Sequence, residues 1–278
     1  MPEIPELEAH AERLDKAIQG KVLSRFQAIS FTALKTFSPD PAECVGHEMS
    51  RISRRGKFLI IECGPASFVV HLMQGGRLRP DEKLSTKPRG GIARWVFEDG
   101  TALLLSEPGT ERKAGVWMVS GDLEQQPPLN SLGPDANTLD AQQWGELLSH
   151  ASGRLHGVLR DQHIVAGIGR RLANEICHRA YLSPFANAGK LNHAQIESLA
   201  AAVTDCISES LKDERDRSEM VTANQRTSAV HTRVGEPCLT CGDTIRAVEY
   251  RAYTVAYCPT CQTGGKVLAD NSTSRFLK

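Results

Sequence analysis

The sequence predicts an α+β fold: a helix-led antiparallel β unit, then a helical half that ends in a cysteine module. Three observations carry this reading. An amphipathic helix stands at the start, six short β-type runs follow it, and two CxxC pairs come after a helical middle. A chain of 278 residues suits two domains of ordinary size. Its 40% hydrophobic and 24% charged residues are those of a soluble globular protein.

From Pro5 to Gln19, Leu7, Ala11, Leu14 and Ile18 recur in steps of four, three and four, which is one helical face. Gly20 is placed to end it. The runs VLSRFQAI, KFLIIEC, SFVVHLM, IARWVFEDG, TALLLSE and GVWMVS read as strands, with Asp99-Gly100 a hairpin signal. A helix followed by such runs closes as an antiparallel β-sandwich or barrel. GDLEQQPPLNSLGPDANT, rich in Pro, Gly and polar residues, reads as a linker. The helical segments LDAQQWGELLSHA, RLHGVLRDQ, RRLANEICHRA and HAQIESLAAAVTDCISESLKD follow it. The charged piece KDERDRSEMVTANQRTS is expected to be a mobile or solvated loop. The expected divisions are residues 1–120 (β-rich), 121–135 (linker), 136–230 (helical) and 231–278 (cysteine module and tail).

Thirty-three basic and 33 acidic residues cancel, so no global field advertises nucleic acid. A local basic face remains open, because a groove's potential depends on distribution. No apolar run is long enough for a membrane helix, so no membrane partner is expected. The start lacks the basic flank and apolar core of a secretory signal, and a cytoplasmic protein is expected.

Of eight cysteines, Cys44, Cys63, Cys177 and Cys206 lie in periodic apolar segments and read as small buried hydrophobes. Cys238, Cys241, Cys258 and Cys261 form CLTC and CPTC, separated by 16 residues. That is the spacing of a four-thiolate structural zinc site. Two tight turns offer thiolate pairs, and the intervening hairpin brings them into a tetrahedron. One structural Zn2+ per chain is expected, with disulfides the weaker alternative. Gly167-Ile168-Gly169, followed by Arg170 and Arg171, is either a phosphate-binding turn or a helix-packing corner.

Pro2-Glu3 at the start, RRGKFLII with Lys57, HLMQGGRLR, then DQ, GIG and NE, and finally GEPC with the cysteine pairs occur in one order. Together they resemble the formamidopyrimidine-DNA glycosylase / endonuclease VIII family of base-excision repair enzymes, from Met1 to Cys261. The resemblance implies an N-terminal helix plus antiparallel β-sandwich domain, a helix–two-turn–helix domain and a four-cysteine zinc ribbon. It implies DNA glycosylase and abasic-site lyase activity on damaged DNA. It also implies a monomer, cytoplasmic and nucleoid-associated when bound.

By that resemblance the catalytic residues are Pro2, Glu3, Glu6 and Lys57. Loss of Met1 would expose Pro2 as a secondary amine, and α-amino groups titrate near about 7.7–8.0. In the family this nitrogen attacks C1′ of the damaged nucleotide, and the resulting iminium is an electron sink for phosphate elimination. Glu3 is then an acid/base on the opened sugar, Glu6 a supporting acid, and Lys57 a phosphate or sugar contact. Taken singly, Pro2 is also a helix-start residue, the two glutamates complement a helix dipole, and Lys57 is a surface charge.

DNA contacts are expected at Arg54, Arg55, His71, Gln74, Arg112, Lys113, Gly169, Arg170, Arg251 and Tyr253. Several depart from the family pattern. HLMQGG puts Gln74 where the family's HLGMSG has methionine, and ERKAG puts Ala114 where its RRFG has phenylalanine. Arg170 stands for the asparagine after GxG, and Tyr253 for the ribbon arginine, with Arg251 two residues earlier. No counterpart of the TLRD lid is found in KDERDRSEMVTANQRTSAV. An alanine cannot stack, and stacking contributes about 1–3 kcal/mol per base. The expected substrate is therefore a lesion in opened, single-stranded or unusual DNA. The alternative is a lesion-binding protein of the same fold with reduced catalysis; a zinc-ribbon adaptor is a third reading.

Overall fold

The computed structural model describes residues 1–221, 225–250 and 253–268. It divides into two compact units, Met1–Ser131 and Leu132–Lys278.

The first unit opens with α1 (Ile4–Ile18), whose face of Ile4, Leu7, Ala11, Leu14 and Ile18 is buried as the periodicity predicts. Gly20, at φ +80°, supplies the left-handed residue that ends it. Eight strands follow: β1 (Leu23–Ala28), β2 (Met49–Arg55), β3 (Phe58–Cys63), β4 (Ala66–His71), β5 (Arg77–Pro80), β6 (Gly91–Phe97), β7 (Ala102–Ser106) and β8 (Gly115–Ser120). They form two four-stranded antiparallel sheets, ordered β1-β6-β7-β5 and β2-β3-β4-β8. Phe26 and Trp95 of one sheet meet Phe68 of the other, with ring centroids 5.2–5.6 Å apart. Of the sandwich and barrel that the sequence leaves open, the fold is the sandwich. Helix α1 packs on β2, where Asp15 accepts the amide of Ile52 at 2.5 Å.

Strands β2 and β5 have no counterpart among the apolar runs of the sequence. MSRISRR buries only Met49 and Ile52, and RLRP only Leu78. Neighbouring strands, not hydrophobic pattern, make these segments extended. The segment predicted as a linker winds through 3-10 turns at Leu123–Gln125, Leu129–Ser131 and Ala136–Thr138, with Leu129 fully buried.

The second unit contains α2 (Ala141–Ser149), α3 (Leu155–Arg160), α4 (Arg170–Arg179) and α5 (His193–Arg215). It ends in a hairpin of β9 (Arg246–Tyr250) and β10 (Tyr253–Tyr257) and a short α6 (Pro259–Thr263). Asp140 and Asn192 cap α2 and α5 through capping boxes. The charged piece after Leu211 departs from the solvated loop that its composition predicts. Helix α5 runs on to Arg215, Met220 is buried, and Glu214 accepts Arg226 Nε at 3.3 Å with both side chains under 10% exposed. Charge balance within the segment allows this burial. Residues 222–224 of that piece lie outside the described residues. Among the described residues no helix is long and apolar enough to cross a membrane.

Candidate active site and nucleic-acid interface

In the first unit, Pro2, Glu3 and Glu6 are all buried, the two carboxylates at 4% and 0% exposure. Glu3 is the N-cap of α1 and shares a capping box with Glu6, its amide donating to Glu6 Oε2 at 2.6 Å. The cap reading holds for these residues, and the box fixes the chain start in place. Lys57 sits in the two-residue turn between β2 and β3, where Arg55 pairs with Phe58 and Gly56 takes φ +55°. A two-residue hairpin needs such a residue, and glycine adopts it without a Cβ clash. At 8% exposure Lys57 is not a surface charge.

His71, at the end of β4, joins these parts. It pairs with Phe58 across the sheet, the rings 4.7 Å apart. Burial, then the Lys57 charge, then the chain-terminal ammonium lower its pKa to about 4. The imidazole is therefore neutral at pH 7 and near two cations. Its Nδ1 accepts the Met73 amide at 3.2 Å, which leaves the proton on Nε2. Met73 takes φ +52°, a left-handed conformation unusual for a residue with a side chain. Its neighbour Gln74 is exposed.

The other expected DNA contacts are placed unequally. Arg54 is turned inward rather than outward: it bonds Glu8 Oε2 at 2.8 Å and the Gly56 carbonyl at 3.2 Å, so it braces the turn that carries Lys57. Arg55 pairs with Glu124 at 2.9 Å. Arg112 and Lys113 are exposed, Lys113 pairing with Glu111 at 2.7 Å, whereas Ala114 is 1% exposed. The residue that sequence reasoning missed is Glu107. It is buried, and its Oε2 accepts the amides of Lys113 and Ala114 at 2.7 and 2.8 Å. A Cβ on Gly75 would come 3.3 Å from Glu107 Cγ, so the first loop passes close to this side chain. Its only sequence signal was an acid at the end of an apolar strand.

In the second unit, Gln162 holds the turn between α3 and α4. Its amide donates to the carbonyls of Arg160 and Ile168 at 2.8 and 2.9 Å, and its oxygen accepts the Gly167 amide at 2.9 Å. Gly167 takes φ +96°. Gly169 is the N-cap of α4, and Arg170, half-buried, is its first residue. The turn thus leads into the N-terminus of α4 from a fixed base, with Gly169 itself buried. Arg171, by contrast, is buried and bonds Ser210 at 3.1 Å. Further along α4, Glu175 accepts three successive amides, of Ala229, Val230 and His231, at 2.6–3.1 Å. That carboxylate ties the helix to the segment entering the cysteine module.

The four sulfurs of Cys238, Cys241, Cys258 and Cys261 lie within 4.8 Å of one another. Two pairs are 3.9 and 3.4 Å apart, against about 3.8 Å for tetrahedral thiolates with metal–sulfur bonds of about 2.3 Å. The donor set fits a closed, soft-metal site. Burial pushes the Cys238 thiol up, but the Thr240 and Cys241 amides and the His178 imidazole outweigh it and bring it to about 6. Cys44, Cys63, Cys177 and Cys206 are buried, as small hydrophobes should be. Tyr253 stands at the start of β10, stacked on Tyr250 at 4.7 Å. Arg251 lies outside the described residues.

Two family models match this chain. The formamidopyrimidine-DNA glycosylase N-terminal domain covers residues 1–116, and the formamidopyrimidine-DNA glycosylase H2TH domain covers residues 131–222. A formamidopyrimidine-DNA glycosylase of Pelobacter propionicus is 30% identical, over 94% of this chain and 100% of its own length. An uncharacterized formamidopyrimidine-DNA glycosylase-like protein of Mycobacterium tuberculosis is 42% identical, over 55% of this chain and 98% of its own. A Lactococcus lactis FPG mutant, solved with a Fapy-dG containing DNA, shares the fold with a TM-score of 0.83 at 24% identity, over 94% of this chain and 100% of that one. With both domain models matched and a relative aligned along its whole length, the chain belongs to the formamidopyrimidine-DNA glycosylase family.

Proposed function

We propose that this chain is a DNA glycosylase and abasic-site lyase in which Pro2, exposed by removal of Met1, is the nucleophile. Its family makes it a DNA-repair glycosylase with DNA as its partner. The reading of the residues rests on one observation above others: Glu3 and Glu6 are buried and locked together in one capping box directly after Pro2.

In this reading the Pro2 nitrogen attacks C1′, and the C1′–base bond breaks with its electrons leaving on the base, which takes up the proton that the nitrogen gives up. The ring oxygen then departs from C1′, taking a proton from Glu3, and the C1′–N bond becomes an iminium. Loss of a C2′ proton feeds electrons to that iminium and expels the 3′ phosphate. Lys57 holds a phosphate oxygen or polarises the sugar, and its braced turn keeps that contact in position. Zinc is proposed for the four-thiolate cluster, where it would hold the ribbon together and take no part in the chemistry.

The substrate is proposed to be a lesion in opened or single-stranded DNA. Gln74 is the exposed residue on the first loop, and Ala114 is buried on the second. Neither is suited to fill the gap that base extrusion leaves in a duplex. The test is borohydride trapping on abasic-site and lesion-containing DNA, single- and double-stranded, after mass spectrometry confirms loss of Met1. Trapping is expected, weakened in Pro2→Gly. Absence of any trapped adduct on abasic DNA would refute the lyase. Strong excision of 8-oxoguanine opposite cytosine in duplex would refute the substrate preference.

A further inference from the structure

The guanidinium of Arg160, the last residue of α3, lies 4.2 Å from the centre of the Tyr253 ring. The other stacked partner of that ring is Tyr250, 4.7 Å away and tilted by only 12°. His156, one turn before Arg160, stacks alongside Tyr253 at 6.1 Å. Burial, with the Arg160 charge second, lowers the pKa of His156 to about 3, so the charge in this stack at pH 7 is that of Arg160.

Among the described residues the Arg160 guanidinium has no hydrogen bond and no carboxylate partner. The adjacent carboxylate, Asp161, is occupied otherwise, accepting the His163 amide at 3.0 Å. The Arg160 backbone is also fixed: its carbonyl accepts Gln162 Nε2, the same side chain that clamps Gly167 and Ile168. The cation is thus anchored beside the turn that leads into α4.

A guanidinium seated over an aromatic ring is held through the ring's π face and not through its N–H groups. Stacking uses the face of the group and leaves the fork that fits a phosphate. The ordering entropy of a long side chain is spent on folding rather than on binding. Tyr253 itself brings no charge to the ribbon tip where the family pattern has an arginine.

We propose that Arg160, held on Tyr253, binds a backbone phosphate of DNA, so that the charge at this place comes from the helical domain and the ribbon supplies the platform. The proposal rests on the DNA-repair reading above.

The experiment uses full-length protein and a single-stranded and a duplex DNA carrying a tetrahydrofuran abasic analogue, with Kd followed by anisotropy across a salt series. Arg160→Leu is expected to weaken binding about tenfold at fixed salt and to flatten the log–log salt slope by about 0.7 on the single strand and 0.9 on duplex, one phosphate's share. Arg160→Lys should restore the slope but not the full affinity, because it keeps the charge and loses the fork. Tyr253→Phe should bind like the wild type. Tyr253→Leu should weaken binding, and adding it to Arg160→Leu should have no further effect.

A wild-type slope in Arg160→Leu, with wild-type protein binding normally, overturns this proposal and leaves the family reading intact. A lower melting temperature with an unchanged slope would make the stack merely structural and overturns it too. Should Arg160→Leu misfold, Arg160→Gln carries the same slope test. Failure of the wild type to bind either DNA overturns the DNA reading itself, and this proposal with it.

Discussion

His178 Nε2, on α4, lies 3.3 Å from the Sγ of Cys238, and both residues are about 5% exposed or less. A thiolate bound to metal accepts such an N–H, which spreads its charge and orients it. Outer partners of this kind commonly change metal affinity by about 10–100-fold. His178→Ala is expected to release metal to a colorimetric chelator at least about tenfold faster than the wild type. Equal release rates would show that the imidazole only packs there.

Metal removal should have a local effect. The hydrophobic cluster of the ribbon is Val230, Cys238, Ile245, Ala256 and Cys258, with Cys261 packed against it. Three of those six belong to the four-cysteine cluster that could hold a metal, so the module would have little core without one. Chelation is expected to make the chain after about Gly235 sensitive to protease while the β-sandwich stays resistant. Unchanged resistance of the ribbon after complete metal removal would contradict this.

Legibility in the sequence followed physical kind. The α1 face, the glycine that ends it and the CxxC pairs were readable because each rests on local spacing. Strands β2 and β5 were not, since their extended state is set by neighbours distant in sequence. Arg54 shows the limit most clearly. Its residue type suggested an outward charge, but Glu8, 46 positions away in sequence, pulls it inward. Glu107 was invisible for the same reason: its partners at 113 and 114 are backbone amides, which every residue offers. Arg160 on Tyr253 joins two segments that no spacing rule connects.

Ala114 allows a direct test of the altered loop. Its side chain is buried and its amide is held by Glu107, so a ring introduced there would meet packed atoms instead of DNA. Overpacking of this sort costs about 1–3 kcal/mol. Ala114→Phe is therefore expected to lower the melting temperature by several degrees without tightening duplex binding. A variant that kept its melting temperature and bound duplex more tightly would show that position 114 turns outward.

The pH dependence of stability follows from His10. It is 8% exposed, its Nε2 lies 2.9 Å from the Leu78 carbonyl, and burial followed by the Arg13 charge lowers its pKa to about 4. In the unfolded chain the same group titrates near about 6.5. Above that value the ring is neutral in both states and nothing depends on pH. As pH falls from 6.5 towards 4, the unfolded chain binds a proton that the folded chain refuses, so stability is lost. Below about 4 both states are protonated and this contribution stops changing. Between pH 7 and pH 5 the loss from His10 alone amounts to about 2 kcal/mol. His71 and His156, with pKa values lowered to about 4 and about 3, add losses of the same sign in their own units. Glutamine keeps an N–H for Leu78 and cannot titrate. In urea unfolding followed by a signal assigned to Trp95, His10→Gln is expected to lose about 2 kcal/mol less than the wild type between pH 7 and pH 5. Parallel losses in the two proteins would mean that His10 takes up its proton equally well in the folded state.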